Sequence, residues 1–379
     1  MATRGTSTMI DLGTPAPVWQ RFVAALAHAV AVGASDLHLK AGARPRVRVD
    51  GRLQPAPLPP FDADELEAVV ARGLPQAAAA GWAAGEADFR LVLPDVHAGR
   101  FRVSALRADG GPALAVRVVA ATVPDADELG LLPVVRDLAA LRSGLVVIAG
   151  RVGSGKSTTC AWLVDRINAT QAATIVSVED PIEHLHHDKR GYLVQREVGA
   201  DTASFATALR HLLRHDPDVV VIGEVRDGDT ARVAVTAAQA GHLVLATVHA
   251  DDAPGAVDRL VGLLPAGERP DGRRDLAGTL RAVVAQRLVE RHGDRLRVLA
   301  QEVLLGTGRV AGTIAAPIDG PPLASLIDAG DHVGMCSFDA HLAAMVAAGA
   351  LTAGEAMAAA SMPSDLALRL AGGRLVPSA

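Results

Sequence analysis

The sequence predicts an α/β protein built around a parallel sheet, with a smaller α+β domain before it and short helices after it. Uninterrupted aliphatic runs at 145–149, 174–178, 219–222 and 243–247 alternate with helical segments, the pattern of parallel strands buried on both faces. Residues 18–121 instead alternate polar with apolar positions, the pattern of an antiparallel sheet with one solvated face. A chain of 379 residues exceeds an ordinary domain of about 100–200 residues, so two domains are expected. Half of it is hydrophobic, 21% is charged and only 3% is aromatic, so the chain folds around a core of Ala, Val and Leu.

Taken in order, residues 1–17 read as a loose tail, and 18–32 carry apolar residues at helical spacing. Strands follow at 36–39 and 46–53, the second folded about the Asp50-Gly51 turn. An amphipathic helix is expected over 64–73, then strands over 89–93, 99–106 and 114–119. The first domain therefore spans 18–121. The Pro and acidic residues of 122–130 suit a linker. The parallel-sheet core takes 131–310, and 311–379 reads as short Ala- and Leu-rich helices broken by Gly and Pro.

Composition excludes several classes. With 37 basic against 42 acidic side chains and a net charge of −5, the chain has no global attraction for phosphate backbones, so no nucleic-acid partner is expected. Cys160 and Cys336 stand outside any CxxC pattern, which leaves neither a disulfide framework nor a four-Cys zinc site. The N-terminus lacks a basic stretch followed by an apolar one, and polar residues such as His341 and Glu355 interrupt the Ala-rich segment 340–362. Neither a signal peptide nor a membrane span is expected, so the chain is expected in the cytoplasm.

The strongest chemical signal is Gly150-Arg151-Val152-Gly153-Ser154-Gly155-Lys156-Ser157-Thr158. It fits GxxxxGK[ST] directly after one expected strand and before a helix over 158–169. Glycines let such a loop wrap with its N–H groups inward, and the helix adds the positive end of its dipole. Lys156 is placed to reach the β and γ phosphates and Ser157 to ligate Mg²⁺. The ligand class is a nucleoside triphosphate, with Mg²⁺. Only three lysines, Lys40, Lys156 and Lys189, occur in the chain, and one stands here.

Two further strands end in acids. The run 219–222 leads through Gly223 to Glu224, and the run 174–178 leads to Glu179 and Asp180 before Pro181. In open α/β sheets ligands sit at these strand ends. A hydrolase needs one carboxylate to take a proton from water and another near the metal. Glu179 is assigned as base and Glu224 to Mg²⁺, with the reverse assignment, or Glu224 as a simple helix cap, left open. A third strand is flanked by His242 and His249; both are candidate catalytic residues, His249 facing the γ-phosphate region.

These pieces together resemble the secretion ATPase superfamily of type II secretion and type IV pilus motors, and within it the pilus-retraction branch. The resemblance runs over ASDLHL (34–39), VRVDG (47–51), GRFRV (99–103), ELGL (128–131), GSGKSTT (153–159) and VEDPIEHLH (178–186). It continues through QREVG (195–199), LRHDPDVVVIGEVRD (213–227), AGHLVLATVHA (240–250), QRLV (286–289) and GMCSFD (334–339). It implies a RecA-like P-loop NTPase core, a PAS-like N-terminal domain and a homo-hexameric ring acting on a platform protein of the inner membrane, reached only through that partner. It further implies arginines of the N-terminal domain at the phosphates. Arg102, Arg107 and Arg117 match those positions, although any of them also reads as a solvated strand residue. The short N-terminus and the absence of a four-Cys element favour the retraction branch over assembly motors. One stretch departs from it: 306–317, where retraction ATPases carry a basic AIRNLIRE-like helix, keeps only Arg309 as a charge. The alternatives are an assembly or secretion ATPase, a regulatory ATP-binding ring with weak motor activity, and a nucleic-acid translocase, the last disfavoured by charge and by the scarcity of aromatics.

Overall fold

A computed structural model describes residues 17–49, 51–93, 96, 99–119, 122–291, 297–318 and 320–372. The expected tail (apart from Pro17), Asp50 of the hairpin turn, the junction at Ala120-Ala121 and residues 373–379 lie outside the described residues. The chain divides into two compact units, Met1–Ala121 and Thr122–Ala379.

In the first unit six antiparallel strands form one sheet in the order β3-β2-β1-β6-β5-β4. They are β1 (Asp36–Lys40), β2 (Arg46–Val49), β3 (Arg52–Pro55), β4 (Glu86–Val92), β5 (Arg100–Ala108) and β6 (Gly111–Val118). Helices α1 (Pro17–Ala31), α2 (Ala63–Gly73) and α3 (Ala79–Ala84) accompany them. Alternation puts Leu37, Phe101, Val103 and Val116 on the buried face, where they meet Phe22 and Leu26 of α1 and Leu66 and Val70 of α2. Each fully buried aliphatic or Phe side chain contributes about 1.5–3 kcal/mol. Asp62 starts α2: its carboxylate accepts from Glu65 N, and Glu65 returns the bond to Asp62 N.

The second unit is a seven-stranded sheet in the order β13-β12-β7-β11-β10-β8-β9. Its strands are β7 (Gly144–Gly150), β8 (Thr174–Glu179), β9 (Tyr192–Glu197), β10 (Val219–Ile222), β11 (Leu243–Val248), β12 (Leu280–Glu290) and β13 (Arg297–Leu305). All neighbours run parallel except β12 and β13. Val146 and Ile148 of β7 and Val219 and Val221 of β10 face one apolar layer, which includes Leu163 and Ile167 of α6 (Lys156–Thr170). Val147, Val220 and Val244 face the other, with α7 (Phe205–Leu212), α8 (Gly228–Gln239) and α9 (Ala253–Gly262). Two-sided burial explains why these strands read as continuous aliphatic runs. Short helices α4 (Ala126–Leu129) and α5 (Pro133–Asp137) precede the sheet, and α10 (Arg269–Thr279) lies between α9 and β12.

Five helices end the unit: α11 (Gly308–Ala315), α12 (Leu323–Asp328), α13 (Phe338–Ala347), α14 (Ala353–Ala359) and α15 (Pro363–Leu370). Among the described residues no helix is long and apolar enough to cross a membrane. The stretch that lost its basic residues still folds as α11, burying Val310 and Ile314. Glu302 of β13 ties these helices down. Its carboxylate accepts from Ala253 N at 2.8 Å and from Phe338 N at 3.4 Å, the first residues of α9 and α13. Burial raises its pKa, and the two backbone donors oppose that rise.

Three further strands lie outside the four aliphatic runs. β9 is polar and only half-buried, so it has no aliphatic run. β12 and β13 interrupt their Val and Leu with Arg, Gln and Glu, and β12 pairs with β7 on one side and β13 on the other.

The segment after β8 buries an imidazole. His186 is 5% exposed, 3.9 Å from Asp165 Oδ1 and outside hydrogen-bonding distance. Burial pushes its pKa down to about 4, against a smaller opposing pull from Asp165. An unfolded chain protonates this group near pH 6.5, whereas the folded chain resists until about 4. Stability present above pH 6.5 is therefore lost as the pH falls toward 4, by about 3 kcal/mol at most from this group. Urea unfolding from pH 7 to 4 is expected to show that loss, and His186→Gln to flatten it; an unchanged slope in the variant contradicts the assignment.

Candidate active site

The loop from Gly150 to Gly155 joins β7 to α6 at the C-terminal edge of the parallel sheet. Gly150, Gly153 and Gly155 have φ of 152°, 78° and 89°, values that L side chains rarely adopt. At Gly150 a Cβ would stand 2.2 Å from Ser154 Oγ and 2.7 Å from Gln286 O, so the loop closes on itself only with glycine there. The Lys156 ammonium, on the first residue of α6, donates to Gly150 O and Arg151 O, both at 2.8 Å. Burial lowers its pKa, while Glu224 and then Glu183 counter that effect. Ser154 Oγ is buried without a hydrogen-bond partner. Ser157 and Thr158 are half-buried on the first turn of α6. From the next strand over, Gln286 Nε2 donates to Thr159 Oγ1 at 2.7 Å.

The acids arrive from the neighbouring strands. Val178 of β8 pairs with Ile222 of β10, so Glu179 stands level with Gly223. A Cβ at Gly223 would lie 3.0 Å from Glu179 Cα, which accounts for glycine in the position before the acid. Thr247 Oγ1 donates to Gly223 O. Glu224, 17% exposed, is held from two sides: His249 Nε2 lies 3.0 Å from Oε1, and Arg226 Nε donates to Oε2 at 2.8 Å. His249 Nδ1 lies 3.3 Å from Gly150 O, a donated bond in the tautomer that carries its proton on Nδ1. Arg226 also reaches Asp180 at 2.9 Å, so one guanidinium links the ends of β8 and β10. Its pKa is raised, first by the bond to Glu224. Glu179 Oε1 accepts from Ser177 Oγ at 2.7 Å and from Gln195 Nε2 at 3.1 Å. The same Gln195 amide also donates to His184 O at 2.9 Å.

Lys156, Glu224 and His249 thus converge at the ends of β7, β10 and β11, with Glu179 beside them at the end of β8. His242 does not join them. It precedes β11, and its neighbour Leu243 pairs with Gly144 at the N-terminal start of β7. Six strand residues separate it from the phosphate loop, about 20 Å, so the two histidines sit at opposite ends of one strand.

The three arginines of the first unit also part company. Cross-strand register lines up Arg48, Asp36, Arg117, Arg102 and Arg90 in one row over β2, β1, β6, β5 and β4. Arg102 and Arg117 are exposed in that row, and Arg117 Nε donates to Asp36 Oδ1 at 3.0 Å. Arg107 has the opposite strand parity. It pairs with Glu67 at 2.7 Å and stacks 4.5 Å over the Trp82 ring, closing the rim of the core. Arg107 therefore stands apart from the row that holds Arg102 and Arg117.

The sequence reading missed the partners that orient these groups. Arg226, Gln195 and Asp180 sit within quoted motifs but carry no spacing signal of their own. Arg151 is another: it forms a two-point pair with Asp251 (2.6 and 3.0 Å), whose backbone oxygen accepts from Arg287 at 3.2 Å. Arg287 also stacks 3.9 Å over Phe338 and donates to Ala359 O at 2.8 Å. The contacts of Arg151 and Arg287 span 100 and 72 residues of chain, beyond the reach of any local pattern.

Comparison with known proteins agrees with this geometry. The family model described as type II/IV secretion system protein matches residues 13–312. The chain is 37% identical to the type IV pilus retraction ATPase PilT of Pseudomonas aeruginosa, covering 90% of this chain and 98% of that protein. It is 37% identical to the twitching motility protein of Neisseria gonorrhoeae, over 80% and 81% of the two chains. Among solved structures, the pilus retraction motor PilT with bound ADP superposes with a TM-score of 0.81 and 34% identity, covering 90% of this chain and 98% of that one. The Legionella pneumophila ATPase DotB shares the fold, with a TM-score of 0.74 at 24% identity. With a family model spanning both sheets and a full-length relative at this identity, the chain belongs to the type II/IV secretion system protein family.

Proposed function

We propose that this chain is an ATP-hydrolysing motor of the pilus-retraction type, working as a homo-hexamer at the cytoplasmic face of the inner membrane against a membrane platform protein. The observation that carries the reading is the meeting of Lys156, Glu224 and His249 at one edge of the parallel sheet. A retraction ATPase and a motor with bound ADP are among the relatives that the chain matches over 98% of their length.

Each group then has a task. The N–H groups of Gly153, Ser154 and Gly155, with Thr158 on the first turn, cradle the phosphates, and the buried Ser154 hydroxyl gains the acceptor it lacks. Lys156 exchanges the Gly150 and Arg151 carbonyls for phosphate oxygens, recovering the charge stabilisation that burial removes. The oxygens on offer suit Mg²⁺, a hard cation that keeps several waters and leans on substrate phosphates. No cluster of three or more His, Cys, Asp or Glu competes for a metal among the described residues. Ser157 is the direct oxygen. Glu224, whose two oxygens are already engaged, fits the hydration shell better than direct ligation. Mg²⁺ supplies neutralisation of charge on the transferring phosphoryl group. Glu179 takes the proton of the attacking water, oriented by Ser177 and Gln195. His249, bridging Glu224 and Gly150 O, senses the γ-phosphate region.

Arg102 and Arg117 act on the nucleotide of a neighbouring subunit. Arg48, Arg117, Arg102 and Arg90 share one row with the carboxylate of Asp36, and like charges side by side on a sheet favour an anionic partner. A second reading, an ATP-binding ring with weak motor activity, rests on α11, whose one charged side chain is Arg309.

Steady-state ATP turnover separates the two. The wild-type chain is expected to hydrolyse ATP with Mg²⁺ while Lys156→Ala neither binds nor hydrolyses it. Wild-type turnover no greater than that of Lys156→Ala contradicts the motor reading. For the arginines, Arg102→Ala is expected to bind ATP normally and lose about 10³-fold or more in turnover. Mixed with equally inactive Lys156→Ala subunits it should recover activity, because some interfaces then pair an intact loop with an intact Arg102. A mixture as inactive as its parts contradicts action across the subunit interface, and wild-type turnover by Arg102→Ala alone places Arg102 outside catalysis.

A further inference from the structure

The second unit holds a cavity of about 240 Å³ between the sheet and helices α8, α9 and α10. Its apolar wall includes Val147 of β7, Ala231 and Ala234 of α8, Leu260 of α9 and Leu276 of α10. The void follows from composition. Close-packed interiors leave few spaces larger than a water. Here a sheet face of Val and Leu meets an alanine-lined helix in a chain with 3% aromatics, so methyl groups stand where larger side chains would close the gap. An apolar cavity of about 150 Å³ is already enough to take up benzene.

The mouth of the cavity is acidic. Glu268, Asp271 and Asp275 line it together with Arg232. Glu268 is paired with Arg232 at 2.6 Å, and Asp271 with Arg274. Asp275 accepts only a neutral donor, Gln239 Nε2 at 2.9 Å, and no ion pair reaches it among the described residues. The cavity also reaches the catalytic edge. Val225 lines it and is 2% exposed, and its chain neighbours are Glu224, paired with His249, and Arg226, paired with Glu224 and Asp180. Val225 N donates to Thr247 O at 2.9 Å, so the residue is held between the cavity and the strand end that carries His249.

We infer that this cavity is a binding site for a small amphiphile, an apolar body of aromatic-ring size bearing one ammonium group, with the body against Ala234 and Leu260 and the ammonium on Asp275. Filling it fixes Val225 and so constrains the loop that carries Glu224 and Arg226. The site lies outside the nucleotide loop, and its occupancy does not depend on the motor reading. Only the effect on turnover rests on that reading.

Phenethylamine titrated calorimetrically into the full-length chain, with ethylbenzene as the uncharged control, tests the inference. Saturable binding at about millimolar or tighter is expected, with ethylbenzene about tenfold weaker. Asp275→Asn should weaken the amine about tenfold and leave ethylbenzene unchanged, and Ala234→Leu should abolish both by filling the space. If Ala234→Leu does not fold, Asp275→Asn decides alone. No saturable binding by wild type, or an amine affinity unchanged in Asp275→Asn, overturns the site. Turnover that does not respond to bound amine overturns the link to Val225 while the binding result stands, and a chain without turnover still reports binding.

Discussion

The buried ammonium of Lys156 is the constraint on which the rest of the second unit depends. A cation this enclosed is costly unless oxygens surround it, and in the free chain the carbonyls of Gly150 and Arg151 supply them. Those carbonyls point at Lys156 only because the loop adopts glycine-only backbone angles and because β7 ends where α6 begins. Glu224 adds the compensating charge from β10, and its own two oxygens are held by His249 and Arg226. Replacing the two carbonyls by phosphate oxygens exchanges weak partners for charged ones. On the proposed reading, nucleotide affinity is built in advance as an electrostatic deficit within the fold.

On the proposed reading, the same exchange carries occupancy to other parts of the chain. Gly150 O is shared between Lys156 and His249, so releasing the lysine alters the environment of the histidine that braces Glu224. Arg226 joins the end of β10 to Asp180 after β8, coupling the two acidic strand ends. On the far side of the loop Arg151 grips Asp251, and Asp251 O meets Arg287, which stacks on Phe338 of α13. The phosphate loop is thereby in contact, through two side chains, with the helices that end the chain. The Arg151–Asp251 pair is exposed, so it orients these groups and is worth little in stability.

Legibility of the fold followed burial. Strands β7, β8, β10 and β11 are buried on both faces and announce themselves as aliphatic runs, whereas β9 is half-exposed and β12–β13 interrupt their Val and Leu with Arg, Gln and Glu. The phosphate loop was legible because its chemistry needs fixed residues at fixed spacing, and Glu179 and Glu224 because strand ends in such sheets point at ligands. His242 and His249 flank one strand but stand at its opposite ends, a separation that flanking positions in a sequence do not reveal. Arg107 differs from Arg102 in parity, since an odd offset turns it to the other side of the sheet. The orienting partners Arg226, Gln195 and Arg151 are set by tertiary contacts, and no local pattern specifies them.

The central claim is that the two strand-end carboxylates divide the work, Glu179 receiving the proton of the attacking water and Glu224 serving the metal-bound phosphates. Single-turnover hydrolysis of ATP by Glu179→Gln, alongside Glu224→Gln and with ATP affinity measured in parallel, tests it most directly. The account predicts that Glu179→Gln binds ATP within a few-fold of wild type and hydrolyses it about 10²–10⁴-fold more slowly. Wild-type hydrolysis by Glu179→Gln, with loss of turnover confined to Glu224→Gln, would contradict it.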